Sequence, residues 1–274
     1  MSFYAKVRTA SQNNDSLLCV GLDPDLARIP DSFSKAEYPI FAFNQCIIDA
    51  TADLVCAYKP QIAHYAAASA EDQLALTFDY LSTHYPDIPI ILDAKRGDIG
   101  STAQMYAREA FERYGADAVT VNPYLGGDSL EPFLDYTDKG VILLCRTSNP
   151  GSADLQMLSV NGKPLYQMLA EKAVCEWNTH NNIALVMGAS DPEAIGAVRQ
   201  VVGDMPLLIP GIGAQGGDLK AVLDQGLTAE GGGLLINASR SILYAASDTS
   251  CDQAARAEVL RLNTVIRSGR SAHS

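Results

Sequence analysis

Ile91-Leu92-Asp93-Ala94-Lys95-Arg96-Gly97-Asp98-Ile99-Gly100-Ser101-Thr102 runs from an apolar segment through a cluster of charge into a glycine-punctuated turn. The segment it closes, residues 88–95, has the length and Ile/Leu content of a strand buried on both faces. Residues 101–114 then have the length and amphipathic spacing of a helix, with Gly115 placed as a C-terminal stop. Together they make one β-then-α unit. Successive strand side chains alternate faces, so Ile91, Asp93 and Lys95 point the same way, and in a barrel that way can be inward. Charges at the end of a hydrophobic strand are costly to desolvate unless paired. An Asp–Lys pair that only plugs a barrel mouth is the structural alternative to a reactive one.

Outward from this unit the same alternation fills the chain. Candidate strands occupy residues 17–22, 57–59, 88–95, 118–122, 140–147, 183–188, 206–209 and 233–237, eight in all. Helix-like stretches between and after them include residues 101–114, 164–177, 192–202, 218–225 and 252–267. Asp191 followed by Pro192 forms an N-cap with proline at the first helical position. With no linker or composition shift, these units predict an α/β fold, a single (β/α)8 TIM barrel over residues 1–274. A doubly wound open sheet is the competing fold. Residues 268–274 read as a frayed tail.

The 274 residues suffice for one such barrel, and 47% hydrophobic with 19% charged residues predicts a large core and excludes a disordered chain. The formal net charge of −12 argues against nucleic acid or anionic membranes as partners. An anionic ligand must therefore meet cationic side chains gathered locally. Six cysteines, at positions 19, 46, 56, 145, 175 and 251, form no CxxC pair, and several lie in apolar runs, as expected of reduced thiols in a cytoplasmic protein. The first residues hold no apolar leader and no run of about 18 apolar residues occurs, so neither export nor a membrane span is expected. The histidines at 64, 84, 180 and 273 lack ligand spacing, so no metal site is expected.

The pattern Asp93-x-Lys95-x-x-Asp98-Ile99-x-x-Thr102 resembles the signature of orotidine 5′-phosphate decarboxylases and matches it without a gap. The resemblance extends to Leu22-Asp23-Pro24, Tyr58-Lys59-Pro60, Thr120-Val121-Asn122-Pro123-Tyr124, Thr147-Ser148-Asn149-Pro150-Gly151 and Pro210-Gly211-Ile212-Gly213. In length and in its Asn-Pro-Tyr-Leu-Gly run the chain is similar to the longer bacterial subgroup. The resemblance implies that Lys59, Asp93, Lys95 and Asp98 form a charged tetrad acting on orotidine 5′-monophosphate to give UMP. It implies a homodimer in which Asp98, Ile99 and Thr102 complete the neighbouring site. It also implies that Asp23 binds a ribose hydroxyl, Ser148 the amide edge of the base, and Gln215 and Arg240 the phosphate.

The chemistry asks for these residue types. Loss of CO2 from C6 of the pyrimidine leaves a carbanion with no adjacent carbonyl to delocalise it well, and the sequence shows no thiamine, pyridoxal or metal motif to act as an electron sink. No cofactor is expected, so the protein must supply preorganised charge and a proton. Lys95 beside C6 can do both, kept charged by flanking carboxylates. Those carboxylates also repel the substrate carboxylate, by roughly 4 kcal/mol at about 4 Å and an effective dielectric near 20. For Lys59 the rival role is a Schiff-base lysine, and for Asp23 a turn residue ahead of Pro24.

Gly211, Gly213 and Gly216 spell the GxGxxG dinucleotide fingerprint, but they fall in the seventh β-then-α unit, with too little chain following for a second mononucleotide half. Glycines there still let backbone N–H groups approach an anion, and Arg240 follows the eighth strand, beside the usual phosphate site of such barrels. Residues 147–152 are expected to close over the base, an ordinary Pro-Gly turn being the alternative. Arg96 is expected at the solvated surface and Trp177 in packing. Three other functions remain open. Mg2+-dependent keto-sugar-phosphate decarboxylases share Asp-x-Lys-x-x-Asp but carry Asp-x-Gly where Ile99-Gly100 follows here. A Schiff-base aldolase and a non-catalytic nucleotide-binding barrel are the others.

Overall fold

Each of the eight apolar runs is a strand in the computed structural model, which describes residues 1–212, 218–245 and 250–273. They are β1 (Leu18–Leu22), β2 (Ala57–Pro60), β3 (Ile91–Arg96), β4 (Ala118–Val121), β5 (Gly140–Arg146), β6 (Ile183–Met187), β7 (Leu207–Pro210) and β8 (Leu234–Ala238). All pair in parallel in the order β2-β1-β8-β7-β6-β5-β4-β3. Bridges from Tyr58 to Ile90 and from Gln61 to Asp93 join the two ends, so the sheet closes into a barrel. A short antiparallel ribbon, Ser159–Val160 with Lys163–Pro164, stands outside it.

The interior is layered because strand side chains repeat every second residue. Cys19, Ala57, Ile91, Ala118, Ile142 and Ala184 belong to one buried apolar cluster, the lower layer. Two residues on, and so on the same inward face, come Lys59, Asp93, Thr120 and Leu144, which line a cavity at the C-terminal mouth. The outward-facing strand residues, such as Leu18, Val20 and Leu92, join the larger cluster shared with the surrounding helices, where Phe43, Ile47, Leu74, Phe78 and Phe133 are buried.

A helix that the sequence did not announce, Phe3–Asn13, closes the other end. Ser2 caps it by accepting from the Ala5 N–H. Phe3 joins the lower layer, with Tyr4 and Val7 packed against it, and the Tyr4 hydroxyl donates to the Ile183 carbonyl. Phe3 sits so close over Gly140 that a Cβ there would lie 2.3 Å from the ring.

Other boundaries moved. The last helix runs Cys251–His273, so residues 268–273 are helical and not a frayed tail. Buried Ile266 anchors that stretch, while Arg270 pairs with Asp15 and donates to the Gly231 carbonyl. The helices expected over 101–114 and 164–177 form as Gly100–Arg108 and Leu165–Lys172, each continued by a π turn, Glu109–Arg113 and Ala173–Trp177. Asp191 caps its helix by accepting from the Ala194 N–H. The six cysteines are free thiols, and among the described residues no helix is long and apolar enough to cross a membrane.

Candidate active site

The decisive stretch is less regular than alternation implies. Leu92 pairs with Val119 but Arg96 pairs with Val121, so β3 carries two extra residues there as a bulge. Within it Lys95 takes φ of +49°, a left-handed conformation uncommon for a residue with a side chain. Asp93 and Lys95 therefore meet through a bulge and not through plain alternation.

The result is a continuous ionic chain. Lys59 Nζ lies 2.8 Å from Asp93 Oδ2, and Lys95 Nζ lies 2.6 Å from Asp93 Oδ1. The Thr120 hydroxyl donates to Asp93 Oδ1 over 2.8 Å. Lys59 and Asp93 are buried, whereas 45% of the Lys95 side chain is exposed at the cavity. Burial alone would push Asp93 up, but the Lys59 and then the Lys95 ammonium outweigh it and hold the carboxyl well below the usual range. Burial would likewise lower Lys59, yet Asp93 and then Asp23 overcome it and hold the ammonium above its ordinary value. The ionised forms are thus the stable ones.

Asp23, just past β1, has Oδ1 4.0 Å from Lys59 Nζ, and that buried oxygen has no hydrogen-bond partner among the described residues. Two adjoining hollows share Lys59, Asp93 and Pro210. One, of about 350 Å3, is also lined by Lys95, Thr120, Thr147, Ser148 and Asn149; the other, of about 160 Å3, by Asp23, Gly211, Asn237, Ser239 and Arg240. Ser148 can approach because position 188 is glycine: a Cβ there would meet the Ser148 backbone nitrogen at 2.7 Å. Gly211 takes φ of +105°, which glycine accommodates where β7 turns away from the barrel. Gly213 and Gln215 lie outside the described residues.

Not every expected residue joins this group. Within the chain Asp98 touches neither lysine; its carboxylate accepts from the Ile99 N–H, and it makes no ion pair among the described residues. Ile99 is 59% exposed and Thr102 is exposed, as are Met105, Tyr124 and Leu125. Arg96 is not a solvated surface residue: it makes a forked pair with Glu109 and stacks over Tyr106. Trp177 is partly buried against the core. Cys46, Cys251 and Asp252 are near enough to one another to share a metal ion, but none of them lines either hollow.

Sequence reasoning missed Thr120 and Asn237 as cavity residues. The available signal was a lone polar side chain near the C-terminal end of an otherwise apolar strand, two residues beyond an inward position.

A family profile described as "Orotidine 5′-phosphate decarboxylase / HUMPS family" matches residues 16–255. The chain belongs to that family. Among its relatives, an orotidine 5′-phosphate decarboxylase of Cellvibrio japonicus is 59% identical over 273 residues, covering 99% of this chain and 100% of the relative. One of Ralstonia pickettii is 58% identical over 256 residues, covering 93% and 94%. The solved structure of Leishmania donovani OMP decarboxylase is similar with a TM-score of 0.83 and 40% identity, over 97% of this chain and 99% of that one. Leishmania donovani UMP synthase gives 0.89 and 41%, over 99% of this chain but 57% of the longer protein. The chain is an enzyme of the carboxy-lyase class for which its curated relatives are named.

Proposed function

We propose that the chain decarboxylates orotidine 5′-monophosphate to UMP with its own charged side chains and no cofactor. The observation that carries this reading is the buried Lys59–Asp93–Lys95 chain, ending in a half-exposed ammonium inside the cavity. The pyrimidine lies in the larger hollow with C6 and its carboxylate toward Lys95, and Ser148 meets the amide edge. The ribose spans toward Asp23, whose Oδ1, without a hydrogen-bond partner among the described residues, accepts from a hydroxyl. The phosphate reaches Arg240 and the backbone at Gly211; Gly213 and Gln215, also expected at the phosphate, lie outside the described residues.

In this arrangement the C–CO2 bond breaks heterolytically and its electron pair stays on C6. The Lys95 ammonium, fixed beforehand, stabilises that charge and then gives its proton to the carbon. Lys59 holds Asp93 in place and keeps it ionised. Asp93 in turn positions the Lys95 ammonium and repels the departing carboxylate. Asp98, Ile99 and Thr102 act in the site of a second copy of the chain, where Asp98 completes a tetrad that one chain leaves at three members. A reducing cytoplasm suits the free thiols.

The test follows the loss of orotidylate absorbance with purified protein in metal-free buffer containing EDTA. Wild-type protein should turn over undiminished by the chelator, and Lys95→Ala should lose at least about 10³-fold in kcat. Tight UMP binding without turnover, or activity abolished by EDTA, would remove this reading in favour of a nucleotide-binding barrel or a metal-dependent relative.

A further inference from the structure

We propose that Thr120 is a positioning residue of the decarboxylation site, holding the Asp93 carboxylate and the strained Lys95 turn in register through one hydroxyl. The inference rests on the function proposed above. It starts from the three contacts of that hydroxyl: Oγ1 accepts from the Ala94 N–H and from the Lys95 N–H, each over 2.9 Å, and lies 2.8 Å from Asp93 Oδ1.

A hydroxyl has one hydrogen and two acceptor lone pairs. Backbone amides can only donate, so both lone pairs are taken by Ala94 and Lys95, and the hydrogen must point at Asp93. The orientation is thereby fixed without reference to a hydrogen position. Thr120 is 1% exposed, so no bulk water competes for these bonds. Asp93 Oδ1 then accepts from both Thr120 and Lys95, while Oδ2 accepts from Lys59.

The backbone contacts matter as much. The two amides belong to the β3 bulge, where regular pairing with β4 is interrupted between Leu92 and Arg96. Half-buried amides that have lost their ladder partners still need acceptors, and a left-handed Lys95 persists only where its surroundings over-determine it. Thr120 reaches them because it faces inward from the neighbouring strand. One side chain thus fixes the base of Lys95 and the partner of its ammonium at once.

Thr120→Val keeps the shape and removes the hydroxyl; Thr120→Ser keeps the hydroxyl. In Thr120→Val, kcat should fall roughly 10- to 100-fold with KM within about 3-fold of wild type, because the phosphate and ribose contacts are untouched. Thr120→Ser should recover kcat to within about 3-fold. Amide exchange at Ala94 and Lys95 should quicken in the Val protein and not in the Ser protein. The proposal is overturned if Val retains wild-type kcat, if Ser and Val lose activity equally, or if the whole loss lies in KM. Should the wild-type chain itself show no turnover, the parent function fails instead, and unchanged amide exchange across all three proteins would then overturn the positioning role separately. If Thr120→Val does not fold, Thr120→Ala is read by the same measurements.

Discussion

Asp93 accepts from three side chains at once, two of them ammonium groups, and this makes the site's charges part of the fold's stability. Its pKa is held below the unfolded value, so its contribution is complete above the ordinary carboxyl value of about 4 and is lost as pH falls below it. Lys59 is held above its unfolded value, so its contribution is complete below about 10.5 and is lost only as pH rises through the raised value. The difference in unfolding free energy between wild type and Asp93→Asn should therefore be flat between about pH 5 and 8 and shrink on acidification below about 4. Urea denaturation across that range measures it, and a difference that grew on acidification would reverse the assignment. Asp93 and Lys95 were legible in the sequence because charge at the end of an apolar strand demands a partner, whereas Lys59 was singled out only by the family resemblance. Thr120 was not, since a threonine in a strand is unremarkable until its neighbours are known.

At the scale of elements, the eight strands were readable from buried apolar runs, with ends moved by at most three residues. The β3 bulge was not, because register depends on which residues of the adjacent strand find acceptors. The N-terminal helix was missed for a related reason. Its burial rests on Phe3 with Tyr4 and Val7 alongside, a short apolar set whose target, the lower barrel layer, exists only after closure. Phe3→Ala should cost about 3–5 kcal/mol of stability in urea unfolding while leaving KM unchanged, because the ring fills the floor and lies a full layer below Lys59. A rise in KM without loss of stability would show that the helix acts on the site and not on the floor. The tail was misjudged because Arg270 finds its partners, Asp15 and the Gly231 carbonyl, far away in sequence.

For the whole molecule, the question is how a chain of net charge −12 attracts an anion. Lys59, Lys95 and Arg240 gather at one mouth, and by the function proposed above Asp98, the fourth tetrad member beside Lys59, Asp93 and Lys95, comes from another copy. That arrangement makes a specific forecast for mixed assemblies. Lys95→Ala and Asp98→Ala proteins, each nearly inactive alone, should regain about a quarter of wild-type activity when mixed equally and allowed to exchange subunits. Half of the dimers are then hybrids, each with one intact site. No recovery after exchange would place Asp98 in its own subunit's chemistry, and an Asp98→Ala protein active by itself would place it outside the chemistry. Neither Asp98 nor the exposed Ile99 finds a side-chain partner among the lysines of its own chain, so their roles rest on the function proposed above and are what the mixing experiment decides.

The helix across the barrel floor backs a buried layer of mostly small side chains. That layer makes the cavity a well, open at the mouth and stopped below. A nucleotide therefore leaves by the opening through which the next must enter, so one molecule at a time holds the well.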